Sequence, residues 1–139
     1  MREPDLQVDG WCLNDGEVYH AAAPDTFWIP SLGERENLAP GDLVKLIFRI
    51  QLDCPDEPVA VERMWVLVRA RYDGGFLGLL DNDPSSIREN DTFWSGIELP
   101  FQPRHVIDID VIDIDKGDAN TRALAQNAPR RRWPGAQAV

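Results

Sequence analysis

Prolines and glycines punctuate this chain so closely that long helices are disfavoured from the outset. Eleven Pro and ten Gly are spread over 139 residues. Each Pro removes a backbone donor, and each Gly eases the chain into turns. Short strands joined by turns are what such spacing favours. With 43% apolar residues there is enough material for one core, and the length suits a single domain.

Between the turn signals, apolar residues alternate. In Leu43–Leu52, Val44, Leu46, Phe48, Ile50 and Leu52 share one face, opposite Lys45, Arg49 and Gln51. Pro40-Gly41-Asp42 marks the start of that strand. Ser31 and Glu34 have capping-box spacing, which predicts a short helix over Ser31–Leu38 that Pro40 closes. After the solvated loop around Pro55 and Pro58, Val61–Tyr72 alternates with Met64, Val66, Val68, Ala70 and Tyr72 on one side. Asp73-Gly74-Gly75 then turns into Phe76–Leu80, a hairpin whose register is left open: Tyr72 opposite Leu77 or opposite Phe76. Ile97, Leu99 and Phe101 define a fourth strand, held short or at an edge by Pro100 and Pro103. His105–Ile114 is the fifth, with a change of phase near Val111-Ile112 that predicts a bulge or a strand end there.

Five short strands in this order fit a mainly β fold, a small and partly open SH3-like barrel. Residues 1–40 form an N-terminal extension with a short helix, packing on the barrel. Residues 41–115 are the barrel core, and 116–139 a flexible basic tail. Apolar side chains occupy both faces of the hairpin. Trp65, Leu67 and either Leu77 or Phe76 therefore need the extension, or a partner, to cover them.

Charge is unevenly divided. Residues 1–115 carry a balance of −14 and residues 116–139 one of +4, giving −10 overall. An acidic body repels phosphate backbones, so nucleic acid is an unexpected partner except through the Arg130-Arg131-Arg132 tail. No stretch is apolar enough to span a membrane, and the first residues lack the apolar core of a secretory signal; a cytoplasmic location is expected. There Cys12 and Cys54 are expected as free thiols. With His20 and His105 as the only histidines, no metal or cofactor site is expected.

Several segments resemble bacterial proteins of unknown function related to the YegJ-like family. They are Phe27-Trp28-Ile29-Pro30-Ser31, Pro40-Gly41-Asp42 with the strand after it, Glu62-Arg63-Met64-Trp65-Val66, Gly78, Leu80-Asp81-Asn82-Asp83-Pro84 and His105-Val106-Ile107-Asp108-Ile109. The resemblance spans residues 27–110. It implies a single domain of bacterial or phage origin and carries no activity.

Catalytic signatures are lacking. No nucleophile elbow, dinucleotide fingerprint or phosphate loop occurs. Asp81 and Asp83 have the spacing of paired acids, yet Asx turns before Pro84 account for them. In the run Asp108, Asp110, Asp113, Asp115 and Asp118, the EF-hand pattern read from Asp113 fails at its fifth and sixth positions, Gly117 and Asp118, and alternation along a strand edge explains the run. Asp-Thr-Phe-Trp occurs twice, at 25–28 and 91–94. Tryptophans there either anchor the extension or line a recognition groove, and anchoring is the expected role.

The expectation from sequence is thus a non-enzymatic domain that binds a basic protein or peptide, as an immunity or antitoxin-like factor does. Its contact residues are expected to be Trp65, Asp81, Asp83, Phe93 and Trp94, and the chain to be a monomer or weak homodimer. The alternatives are a small metal-dependent hydrolase using the Asp cluster and an RNA-associated factor using the Arg-rich tail.

Overall fold

The computed structural model describes residues 2–52, 55–72, 74–81 and 96–110. Within them an antiparallel sheet curls into a half-barrel. Strand β2 (Leu43–Gln51) pairs with β3 (Val59–Tyr72), β3 with β4 (Gly75–Leu80), and β4 with β5 (Glu98–Phe101). A 3-10 turn at Pro103–His105 then carries the chain round to β6 (Val106–Asp110), which pairs with the far edge of β2. The order β6-β2-β3-β4-β5, with a 3-10 turn between the last two strands, is that of an SH3-like barrel.

The remainder of that β2 edge is taken by the extension. Strand β1 (Trp11–Leu13) pairs with Phe48–Ile50, whereas β6 pairs with Leu43–Leu46. One long strand is thus flanked by two short ones laid end to end.

The core lies on the concave face and follows the alternation of β2: Val44, Leu46, Phe48 and Ile50 are all buried. Met64, Val66, Val68, Phe76, Leu80, Leu99, Phe101 and Val106 meet them. Trp11 and Leu38, from the first 40 residues, sit in the same cluster. Trp11 lies fully buried, its ring centroid 6.1 Å from that of Phe48.

Turns behave as their residues dictate. At Ala39–Asp42 the Asp42 amide donates to the Ala39 carbonyl at 3.0 Å, and Gly41 has φ 100°. Pro second and a positive-φ Gly third make this a type II turn. It docks on β3 through the Gly41 amide to the Val68 carbonyl, 2.8 Å, and the Val68 amide to the Asp42 carbonyl, 2.8 Å. The capping box at Ser31 and Glu34 forms, and the helix it starts, α3, spans Leu32–Glu36.

The extension also holds two helices that the sequence reading missed. Helix α1 (Leu6–Asp9) is capped by Asp5, and α2 (Gly16–Ala22) by Asp15. Buried Arg35, on α3, ties α2 down. Its Nε donates to the Pro30 carbonyl (2.9 Å), and its guanidinium donates to Glu17 (2.7 Å) and to the Pro103 carbonyl (2.9 Å).

Two irregularities correct the expected phases. Between Val68 and Ala70 the pairing with β4 shifts, so Arg69 is an extra residue and the later part of β3 changes face. In β6 the shift falls between Leu46 and Lys45, making Ile107 the extra residue. The phase change expected near Val111-Ile112 lies outside the described residues, as do the tail and its arginines. The hairpin register is neither of those considered: Tyr72 pairs with Gly75 and Arg71 with Phe76. Only two residues separate the strands, so Gly75 already belongs to β4. Phe76 consequently belongs to the core, stacked on Phe101 at 5.5 Å.

Candidate functional site

The convex face of β2 and β3 mixes charged, apolar and aromatic side chains. On it, Lys45, Ile47, Arg49 and Gln51 of β2 lie opposite Trp65, Arg63, Val61 and Val59 of β3 respectively. Near β4 the face is sealed within the chain: Leu67 and Leu79 are buried, and so is Glu98 across from Leu79. Of the residues expected to need cover, Leu67 and Phe76 are thus buried within the chain. Trp65 is half-buried and Leu77 likewise.

Helix α2 and the segment after it lie over the β2–β6 side. The Gly16 backbone sits so close to Ile107 that a Cβ would come within 2.7 Å of Ile107 Cγ2. Beyond α2 the chain turns back, the amides of Thr26 and Phe27 donating to the Ala23 carbonyl at 3.2 and 2.8 Å. His20 Nδ1–H donates to the Phe27 carbonyl at 2.7 Å, which fixes that turn. Phe27 is thereby placed between Tyr19, stacked at 5.3 Å, and Arg63, whose guanidinium lies 5.3 Å from its ring. The next residue, Trp28, is 67% exposed. Anchoring of the extension is thus done by Phe27, and the anchoring role expected of Trp28 is not what its exposure supports.

Two shallow depressions flank this aromatic ridge. One is bounded by Asn14, Asp15, Val18, Tyr19, Arg49 and Val61, the other by Thr26, Phe27, Trp28, Lys45, Arg63 and Asp108 among its lining. Val18 and Val61 are 64% and 58% exposed, adding apolar area to the first. In the second, Lys45 Nζ lies 4.8 Å from the Trp65 ring centroid, a contact worth about 0.5–1 kcal/mol at such a surface.

Of the expected contact residues, Trp65 and Asp81 are brought together: the Asp81 amide donates to the Trp65 carbonyl at 3.0 Å. Asp83, Phe93 and Trp94 lie outside the described residues. The sequence reading missed Tyr19, Phe27, Lys45, Arg49 and Arg63 as parts of one surface. Lys45 and Arg49 were visible on the polar face of their strand, but the β2–β3 register was needed to bring Arg63 and Trp65 beside them.

A separate cleft of about 370 Å³ opens at the hairpin end, lined by Glu36, Asn37, Arg71, Tyr72 and Pro103 among others. Several of its polar groups are hydrogen-bonded, Asn37 to the Gly33 carbonyl at 2.6 Å. Arg71 donates to the Glu36 carbonyl, and the Gln102 side chain donates through Nε2 to the Tyr72 hydroxyl at 3.3 Å. Burial pushes the Tyr72 hydroxyl's pKa up, so it stays protonated. His105 is no base for this cleft. It is buried, its Nδ1 accepts from the Gln102 amide at 2.9 Å, and its pKa is lowered to about 4, mainly by burial. Among the described residues no group of three or more His, Cys, Asp or Glu side chains comes together. Asp108 faces Lys45 and accepts from the Ile109 amide at 2.9 Å, while Asp110 lies opposite Leu43. Asp113, Asp115 and Asp118 are outside the described residues. Cys12 carries a free thiol, its pKa raised chiefly by burial.

Comparison with family models, with curated proteins and with solved structures finds no match for this chain. Among the described residues, no helix is long and apolar enough to cross a membrane.

Proposed function

We propose that this protein is a non-enzymatic binding domain for another protein, and that the convex face of β2 and β3 with residues 16–30 is its contact surface. One observation carries the reading. Trp28 stands two-thirds exposed beside half-buried Phe27 and close to the exposed part of the β2–β3 face. Aromatic residues held on a rigid scaffold with one side open to solvent are the anchors that protein interfaces favour. The test is affinity capture with the parent protein and with Trp28→Ala and Trp65→Ala. A partner held by the parent should be lost from both variants. Partners retained equally by all three would sink the proposal.

A second reading makes the partner basic, in the manner of an immunity or antitoxin-like factor masking a cationic toxin. The net charge of −10 and the placement of Asp81 against Trp65 favour it. Long-range attraction speeds such encounters and weakens with salt. Reversing Asp81 and Asp83 to Lys should then weaken the complex, and an unchanged affinity would remove this version. Kinship with the YegJ-like proteins is part of the same proposal. It rests on the Trp65-Val66 strand and the segment from Gly78, and adds no chemistry.

A further inference from the structure

The described cations of this acidic protein fall into two sets. Arg2 is paired with Asp9, Arg35 with Glu17, Arg69 with Glu98, and Arg104 with Glu3 and Asp15; Arg71 donates to the Glu36 carbonyl. Lys45, Arg49 and Arg63 are in no ion pair among the described residues, and all three lie on the convex face of β2 and β3. Two acids border them: Asp108 lies across from Lys45 on β6, and Asp15 lines the same depression as Arg49. Asp15 caps α2 and meets Arg104, and Asp108 accepts a backbone amide. Three cations outside any ion pair among the described residues thus line one strip of a protein whose total charge is −10, bordered by Tyr19, Phe27, Trp28 and Trp65.

The strip has a defined period. Lys45 and Arg49 are four residues apart on one strand, roughly 13 Å. Arg63 is level with Ile47, midway between them, on the neighbouring strand. Measured along the strand direction, the three positions thus recur at steps of two residues, roughly 6.6 Å, with Arg63 set one strand, roughly 4.8 Å, to the side. That is also the spacing of every second side chain in an extended peptide.

From this geometry we infer that the strip binds an extended acidic segment of a partner protein, with carboxylates at alternate positions and apolar or aromatic side chains between them. The inference rests on the protein-binding reading above and reverses the partner's charge at the point of contact. A peptide fits better than nucleic acid for a physical reason. A continuous phosphate chain running past the three cations would meet Asp15 at one end and Asp108 at the other, as well as the repulsion of the whole anionic body. A short peptide segment ends its charge where the strip ends. Guanidinium groups suit carboxylates in this role because they offer paired donors.

The experiment uses the full chain, labelled for NMR, titrated with a short peptide alternating Glu with Thr and Tyr. Its Gln-for-Glu and Lys-for-Glu counterparts and a single-stranded DNA of similar length are titrated in parallel. The expected result is amide shifts confined to β2, β3 and residues 16–30 with the Glu peptide. Binding should be at least about tenfold weaker with the Gln peptide, with the Lys peptide and with DNA. The Lys45→Glu/Arg63→Glu protein, its fold checked by thermal melting, should lose the Glu peptide by a similar factor and gain the Lys peptide. Equal or tighter binding of DNA or of the Lys peptide to the parent protein would overturn the inference. So would retention of the Glu peptide by the double variant. If the Lys peptide binds the parent and Trp28→Ala abolishes it, protein binding stands while the acidic partner falls. If no peptide shifts this face, both fall.

Discussion

Arg69, the extra residue of the β3 bulge, meets the carboxylate of Glu98 on β5, and Glu98 is only 1% exposed. The pairing of β3 with β4 skips Arg69 at this bulge. Arg69 supplies a counter-charge to an acid that the sheet has removed from water. Removing one partner of a buried pair leaves the other charge uncompensated, at a cost of about 3–5 kcal/mol. Arg69→Met should therefore destabilise by about that amount in urea unfolding. Glu98→Leu added to Arg69→Met should recover most of the loss. A double variant as unstable as the single one would show that the bulge itself, and not the charge, sets the cost.

His105 makes stability depend on pH. Its folded pKa is lowered to about 4 by burial and by Arg104, against an ordinary value of 6.5. The unfolded chain therefore takes up this proton first as pH falls. The stabilisation from keeping the ring neutral is complete above about pH 6.5 and is lost between there and about pH 4, by up to about 1.4 kcal/mol per pH unit. His105→Asn should flatten that part of the profile relative to the parent. Parallel profiles over pH 4–6.5 would refute it. Titrating carboxylates common to both proteins cancel in the difference.

Gly78 is a packing constraint on the β3–β4 hairpin. A Cβ there would stand 2.4 Å from Val66 Cγ1 and 2.8 Å from the Leu67 carbonyl oxygen. The second contact is with backbone, which cannot rotate away. Gly78→Ala should cost about 1–3 kcal/mol by overpacking, read as a lowered Tm, and a neutral substitution would contradict the close approach.

Trp11 tests whether the extension and the barrel share one core. Trp11→Ala should cost about 3–5 kcal/mol and lower the protection of β2 amides in hydrogen exchange. Loss of β1 alone, with β2 and β3 as protected as before, would mean that the extension is energetically separate.

The elements that sequence foretold are those whose pattern is long enough to show a period. β2 and β3 carry nine and fourteen residues, and one face of each alternates clearly. α3 was legible because a capping box and a proline bracket it. β1 has three residues and α1 four, too few for any period. Asp5 and Asp15 were the signals available for α1 and α2, as side chains that satisfy the first free amides of a helix. The Arg69 bulge was hidden because Ala70 and Tyr72 prolong the apparent alternation past the point where the strand changes face. The candidate surface was half legible. Trp65 and Asp81 were singled out and do adjoin, but overall charge pointed to an acidic contact face. The cations between the aromatics become a cluster only once Ile47 is set opposite Arg63.

The two short strands that share the edge of β2 come from opposite ends of the described chain. During synthesis β1 emerges before β2, but β6 follows more than fifty residues later. Until Val106–Asp110 has left the ribosome, the Leu43–Leu46 half of β2 has no neighbour on that side. The nascent protein thus carries an apolar ribbon with unmet amides, and final closure waits on the joining of distant segments, a slow kind of step. Holdase chaperones that cover exposed strands would find their target in that interval.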